Sequence, residues 1–166
     1  NSLNDIAKDH PDMVANIAEN WLRDATPQRK KLIKHACRTL IKQGHKPTLK
    51  AFGYQSVKGV EAVLHIKKSR VKFGETLEFD CHFNHSGKSN EPVIIDYIIH
   101  FVKASGKTSP KVFKWKSGNL KVGASSATKR HAIKPITTRK YYGGEHILEI
   151  IINGDVVARQ SFELLM

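Results

Sequence analysis

The sequence predicts an α+β chain of two units: helices that end an α-solenoid over residues 1–57, then an antiparallel β-sandwich over 58–166. Two observations predict it. Apolar residues recur every three to four positions up to about residue 55 and every second position from about residue 60. Proline-led helix starts punctuate the first part, and glycine turns punctuate the second.

Leu3, Ile6 and Ala7 read as the end of one helix. His10-Pro11 opens the next, because proline suits the first helical position, and Asp9 or His10 is the expected cap. Met13, Val14, Ile17, Ala18, Trp21 and Leu22 form one apolar face, with Trp21 expected in the core. Thr26-Pro27 repeats the start signal. Leu32, Ile33, Ala36, Cys37, Leu40 and Ile41 form a second face, which Gly44 ends, and a short helix over Pro47–Phe52 stops at Gly53. Paired helices with tight turns are the unit of a HEAT-like solenoid. One pair leaves a face open, so further repeats are expected upstream.

The strand candidates are Val60–Lys68, Thr76–His85, Val93–Lys103, Val112–Lys116, Ala127–Lys134, His146–Asn153 and Val156–Leu165. Asn153-Gly154 is the strongest hairpin signal, since both residues tolerate the positive φ of a type I′ turn. About seven short strands with regular turns predict an immunoglobulin-like sandwich, although no Cys-Trp-Cys pattern is present.

The formal net charge is +13, which points to a polyanionic partner. Its distribution sharpens this. From Tyr97 to Gly144 there is no Asp or Glu, while the same stretch holds eleven lysines and arginines. A bland basic surface would intersperse the signs, so nucleic acid is the expected partner. Cys37 and Cys81 lie far apart and read as buried thiols of a reducing, cytoplasmic compartment. His82 and His85 fall on opposite strand faces, and no cysteine pair has metal spacing; neither metal nor cofactor is expected. No apolar run suffices to span a bilayer, and no signal peptide is visible, so no membrane partner is expected. The chain begins with Asn1 rather than Met, and a piece of a longer protein is expected.

Three stretches carry a resemblance. They are Asn1–Asp12, reading NSLNDIAKDHPD; His35–Gly44, reading HACRTLIKQG; and the run from Asp96 through His100–Lys114, reading HFVKASGKTSPKVFK, continued by Lys134–Arg139, reading KPITTR. Together they resemble the C-terminal region of AlkC-type alkylation repair proteins of the AlkC/AlkD family, along nearly the whole chain. The resemblance implies a bacterial DNA glycosylase of HEAT-like repeats plus an immunoglobulin-like domain. It would excise cationic N-alkylated bases of the 3-methyladenine and 3-methylcytosine class from double-stranded DNA, acting as a monomer. A cationic base leaves readily, so the enzyme mainly stabilises the positive sugar with a carboxylate.

Family position makes Asp5 the candidate carboxylate. As an acid near the end of a helix it opposes the dipole, and a solvated or capping acid is the alternative. Asn4 could orient the same site. Asp9 and Asp12 are explained by capping. Lys8, His10 and Arg38 are candidates for phosphates, aided by the helix start after His10. Arg29, Lys30, Lys31 and Lys34 read as a solvated face that could also track a DNA backbone. In the sandwich, Lys103, Lys107 and Lys111 flank a Ser/Gly loop that permits close approach to phosphate. Arg139 and Lys140 are further DNA candidates, while Tyr141 and Tyr142 read as structural. The rival function is a non-catalytic basic module that binds nucleic acid or another partner.

Overall fold

The computed structural model describes residues 2–166; Asn1, the first residue of the NSLNDIAKDHPD stretch, lies outside the described residues. The chain divides into two compact units. Among the described residues, one holds 2–56 with Asn153–Asp155, the other Val57–Ile152 with Val156–Met166.

The described residues of the first unit form the helices α1 (Ser2–Ile6), α2 (Pro11–Leu22), α3 (Pro27–Ala36), α4 (Arg38–Lys42) and α5 (Lys46–Ala51). Among the described residues these form no stack of repeated pairs, so the solenoid expected over 1–57 reduces to short helices around one small core. That core is Ala7, Val14, Ala18, Ile33, Cys37 and Leu40. Thr26 caps α3 by accepting from the Arg29 amide at 3.2 Å. Gly44, at φ +72°, ends α4 in a Schellman arrangement: the His45 amide reaches the Leu40 carbonyl and the Gly44 amide the Ile41 carbonyl. Asn153–Asp155 belong to this unit, where Asp155 pairs with Lys46 Nζ at 2.6 Å.

The helices depart from expectation at three places; at the first, Leu32 of the expected second apolar face is 71% exposed. The second apolar face is not one helix, because the backbone of Cys37 leaves helical geometry (φ −100°, ψ 11°) and divides α3 from α4. Trp21 is 48% exposed rather than core. The side of α2 that packs is centred on Val14, Ala15 and Ala18; Met13 and Trp21, eight residues apart, lie on a neighbouring stripe that stays open.

The second unit is a sandwich of two sheets. One has strand order β1 (Val60–Ile66), β3 (Thr76–His85), β6 (Gly123–Ala132). The other runs β2 (Arg70–Lys72), β8 (Asp155–Leu165), β7 (Gly144–Ile152), β4 (Glu91–Val102), β5 (Thr108–Leu120). Eight strands replace the expected seven. The missed strand, β2, is three residues long, too short to display a period, and it pairs with β8 in parallel, so the sandwich is not wholly antiparallel. β5 extends beyond Val112–Lys116 at both ends, and β6 starts four residues before Ala127 and stops at Ala132, two short of Lys134; the added stretches Ser117–Asn119 and Gly123–Ser126 are poor in strand formers. Elsewhere the alternation reads through. In β3, Leu77, Phe79, Cys81, Phe83 and His85 point inward, and Glu78, Asp80, His82 and Asn84 point out. Asn153 and Gly154 both take positive φ (49° and 84°), as a type I′ turn requires. Both thiols are free and buried; burial, and then the Asp80 charge, pushes Cys81 up to about 12.

At the centre, Tyr97 of β4 hydrogen-bonds His131 Nδ1 of β6 at 2.8 Å. Burial, then the charges of Arg139 and Lys129, pushes His131 down to about 4 from an ordinary 6.5. His146, 0% exposed, is also shifted down by burial. The unfolded chain therefore takes up protons that folded His131 refuses until about pH 4. Stability is fully present above pH 6.5 and declines as the pH falls towards 4. The urea midpoint is expected to drop across this window, and a His131→Gln variant to show a shallower drop. Equal slopes for the two proteins would exclude His131 as a source.

Candidate nucleic-acid interface

The acid-free segment folds into adjoining pieces of sequence: the second half of β4, the β4–β5 turn, the two sheet-edge strands β5 and β6, and the loop over 133–143. β5 holds its place through a bulge. Ile95 pairs with Lys116 and Asp96 with Lys114, so Trp115 is the extra residue, and its ring packs edge-on against Phe79. Pro110 is tolerated because β5 has an open edge. Lys111, Lys114 and Lys116 are all exposed.

The hairpin tip is tightly built. The Lys103 amide donates to the Lys107 carbonyl at 2.7 Å and the Gly106 amide to the Lys103 carbonyl at 2.9 Å. Gly106 sits at φ +82°, which a side chain would resist. Lys103 and Lys107 thus flank a fixed turn, both exposed, and Lys111 lies four residues along β5, roughly 13 Å at strand rise. Of the sandwich's five expected DNA candidates, Lys103, Lys107 and Lys111 are therefore gathered on one hairpin, while Arg139 and Lys140 lie in the loop over 133–143.

Arg139 is placed differently from a free DNA contact. Its guanidinium carbon lies 4.2 Å from the Phe101 ring centre, 5.6 Å from that of Phe113 and 5.7 Å from that of Tyr141. One of its nitrogens also donates to the Tyr141 hydroxyl at 3.4 Å. Arg139 pairs with Ile136 across an isolated bridge within the 133–143 loop, and its stack on Phe101 and Phe113 ties that loop to the β4–β5 hairpin. Cation–π contacts of this kind consume the open face of the cation. Lys140 is exposed, its ammonium 5.6 Å from the Tyr142 ring. Tyr141 is buried against Phe73 and Phe101. Sequence reasoning missed the Arg139 stack because its partners lie 26 and 38 residues away; the only local signal is the arginine two positions before a buried tyrosine.

In the helical unit, Asp5 is exposed on α1, and Lys8 and His10 are exposed in the turn that follows. α1 has five residues, little more than one turn, so Asp5 opposes almost no helix dipole. His10 is the N-cap of α2 but makes no side-chain cap bond. Asp12, in the first turn of α2, pairs with His45 at 3.0 Å and puts negative charge where an anion would sit. Arg38 is engaged locally: its guanidinium donates to the His35 carbonyl at 2.8 Å, serving an acceptor left open at the α3–α4 break.

The comparisons with known proteins agree with this architecture. A family described as "Uncharacterised protein YhaZ, C-terminal Ig-like domain" matches residues 61–166. A Bacillus subtilis (strain 168) protein named "Uncharacterized protein YhaZ" is 39% identical over 166 residues, which cover 99% of this chain and 46% of that one. The structure of Pseudomonas fluorescens alkylpurine DNA glycosylase AlkC bound to DNA containing an abasic site analog matches with a TM-score of 0.91 and 31% identity, over 99% of this chain and 46% of that chain. A β-glucosidase from Listeria innocua in complex with glucose matches with a TM-score of 0.53 at 14% identity, covering 69% of this chain and 17% of that chain, which is a likeness of fold alone. The chain spans less than half the length of the first two relatives.

Arg139 and the hairpin lysines should separate in a stability measurement. Arg139→Met is expected to cost about 1–2 kcal/mol in urea unfolding, the scale of a partly desolvated cation–π contact. Joint replacement of Lys103, Lys107 and Lys111 by Gln is expected to stay within about 0.5 kcal/mol, as for open surface positions. A neutral Arg139→Met would show that the stack is not a brace.

Proposed function

Because the chain belongs to the YhaZ C-terminal Ig-like domain family, we propose that it is the DNA-holding C-terminal part of a DNA-repair glycosylase. The observation that carries this reading is the likeness, along nearly all of the chain, to an alkylpurine DNA glycosylase solved on DNA. The lysine hairpin supports it, because ammonium groups around a Ser/Gly turn suit point contacts to a phosphate backbone and offer none of the rigid geometry that reads base edges. The partner is double-stranded DNA with alkylated bases, and the protein is a bacterial, cytoplasmic monomer that needs no cofactor. The open Met13–Trp21 stripe of α2 is where preceding HEAT-like helices of the longer protein would pack.

The substrate class is a cationic N-alkylated base such as 3-methyladenine or 3-methylcytosine. Such a base departs as a neutral group, and positive charge develops on the sugar. Asp5 supplies the carboxylate that stabilises this charge, with Asn4 orienting it. Asp5 is exposed in this chain and therefore reachable; bound DNA and the upstream helices would shield the site from water and strengthen the interaction. The same exposure favours the rival reading, a basic module that binds DNA without chemistry of its own.

Two measurements on the full-length protein decide between them. Asp5→Asn is expected to slow single-turnover excision at least about 100-fold with little change in DNA affinity, as for loss of one preorganised electrostatic group. Near-normal excision would remove Asp5 from the reaction and turn attention to Asp9. For binding, the triple Gln variant at Lys103, Lys107 and Lys111 should weaken affinity for all duplexes alike. Its log affinity against log salt should flatten by about 0.9 for each phosphate no longer neutralised. An unchanged slope would leave these lysines as solvated surface.

A further inference from the structure

The two sheet edges formed by β5 and β6 are built from residues that leave the sandwich unfilled. In the β3–β6 ladder, Ser125 faces Phe83 and Ala127 faces Cys81. In the β4–β5 ladder, Gly118 faces Val93 and Lys116 faces Ile95. Phe83, Cys81, Val93 and Ile95 are all core residues, so their cross-strand partners share the inward face. At four inward positions, where a sandwich edge would close with large apolar side chains, this chain places Gly, Ser, Ala and a lysine. The result is a cleft of about 270 Å³ between the sheets. A Cβ at Gly118 would meet nothing within 4 Å.

The lining has a consistent polarity. Phe83, Val93 and Ile95 form an apolar floor, while Lys116 and Lys121, with the inward-facing Ser125, form the rim. Among the described residues, no carboxylate lines the cleft. Ammonium and hydroxyl donors around an opening suit a many-oxygened anion, which lysines bind as point charges. The volume lies just under the roughly 300–1,000 Å³ typical of small-molecule pockets, which limits the occupant to a small body.

We propose that this cleft binds a single nucleotide unit, with the phosphate held by Lys116 and Lys121 and the base or sugar against the Phe83–Val93–Ile95 floor. The site lies on the outer strands, apart from the hairpin tip that carries Lys103 and Lys107. It rests on the DNA reading only for the source of the nucleotide, which is either an unpaired residue of a bound strand or a free mononucleotide.

The test is amide NMR of the 166-residue chain, titrated with thymidine 5′-monophosphate, with inorganic phosphate and with a short single-stranded thymidine oligonucleotide. The mononucleotide is expected to shift residues 116–121 and 125–127 with a Kd of about 1 mM. Inorganic phosphate should bind at least about fivefold more weakly, because it leaves the apolar floor unused. Lys116→Gln with Lys121→Gln should weaken the mononucleotide about tenfold, and since both side chains are exposed the variant should keep its spectrum. Ser125→Leu, which fills the slot, should abolish mononucleotide binding. Displacement of the mononucleotide by the oligonucleotide supports a strand as the source; its absence supports the free nucleotide. Shifts spread over the whole basic surface, equal binding of phosphate and mononucleotide, or unchanged binding by the double Gln variant would overturn the proposal. Duplex binding by the full-length protein, with its dependence on Lys103, Lys107 and Lys111, is measured separately. A failure there sinks the DNA reading, while cleft binding stands or falls by these titrations.

Discussion

Tyr97 lies mid-way along β4, and its ring meets others from both sheets. It stacks on Phe113 of its own sheet at 5.2 Å, and meets Phe79 and His131 of the opposite sheet edge-on at 5.3 and 5.6 Å. Its hydroxyl holds His131 directly. Four strands are thereby tied at one point, by apolar contact and quadrupole geometry together. The consequences run outward. Phe113 and Phe101 form the bed on which the Arg139 guanidinium rests, and Arg139 fixes the loop over 133–143. The exposed lysines of β5 hold their positions because the strand beneath them is pinned by Phe113 and Trp115. The charged surface of the sandwich thus depends on an aromatic interior.

That dependence explains which parts of the molecule could be read from the chain. β3 and β4 were legible because their side chains alternate against a sheet buried on the core side, so period two appears directly in the sequence. The Asn153-Gly154 turn was legible because few residue pairs accept positive φ twice. β2 was not, since three residues carry no period and a parallel pairing with β8 arises from tertiary packing alone. The ends of β5 and β6 were hidden because Gly123 to Ser126 and Ser117 to Asn119 lack strand formers. Among the candidate residues, clustering of lysines on the hairpin could be foreseen from an acid-free segment. The use of Arg139 could not, because a charged side chain in sequence gives no sign of the rings it will lie on.

In the helical unit the same limit applies to apolar residues. Their spacing identified α2 correctly but overstated how much of it is covered, since a stripe at i, i+4 and i+8 can be apolar without being packed. Met13 and Trp21 lie on such a stripe. Arg38 and His35 likewise show a local use of charge: a helix that breaks at Cys37 leaves a carbonyl, and the nearest guanidinium takes it.

The open edge of β5 has a further significance. A strand with one unpaired side offers its amides and carbonyls to any other chain, and sheets of this length associate through such edges unless something prevents it. Here the prevention lies in the same side chains that give the surface its charge: Lys111, Lys114 and Lys116, together with Pro110 and the Trp115 bulge. β6 has no such guard over Gly123 to Thr128, where every residue is small or uncharged. The lysines that charge the surface of β5 are therefore also the ones that keep its edge from pairing. Loss of charge at those positions would be opposed by the tendency of bare strands to polymerise, whatever else the lysines touch.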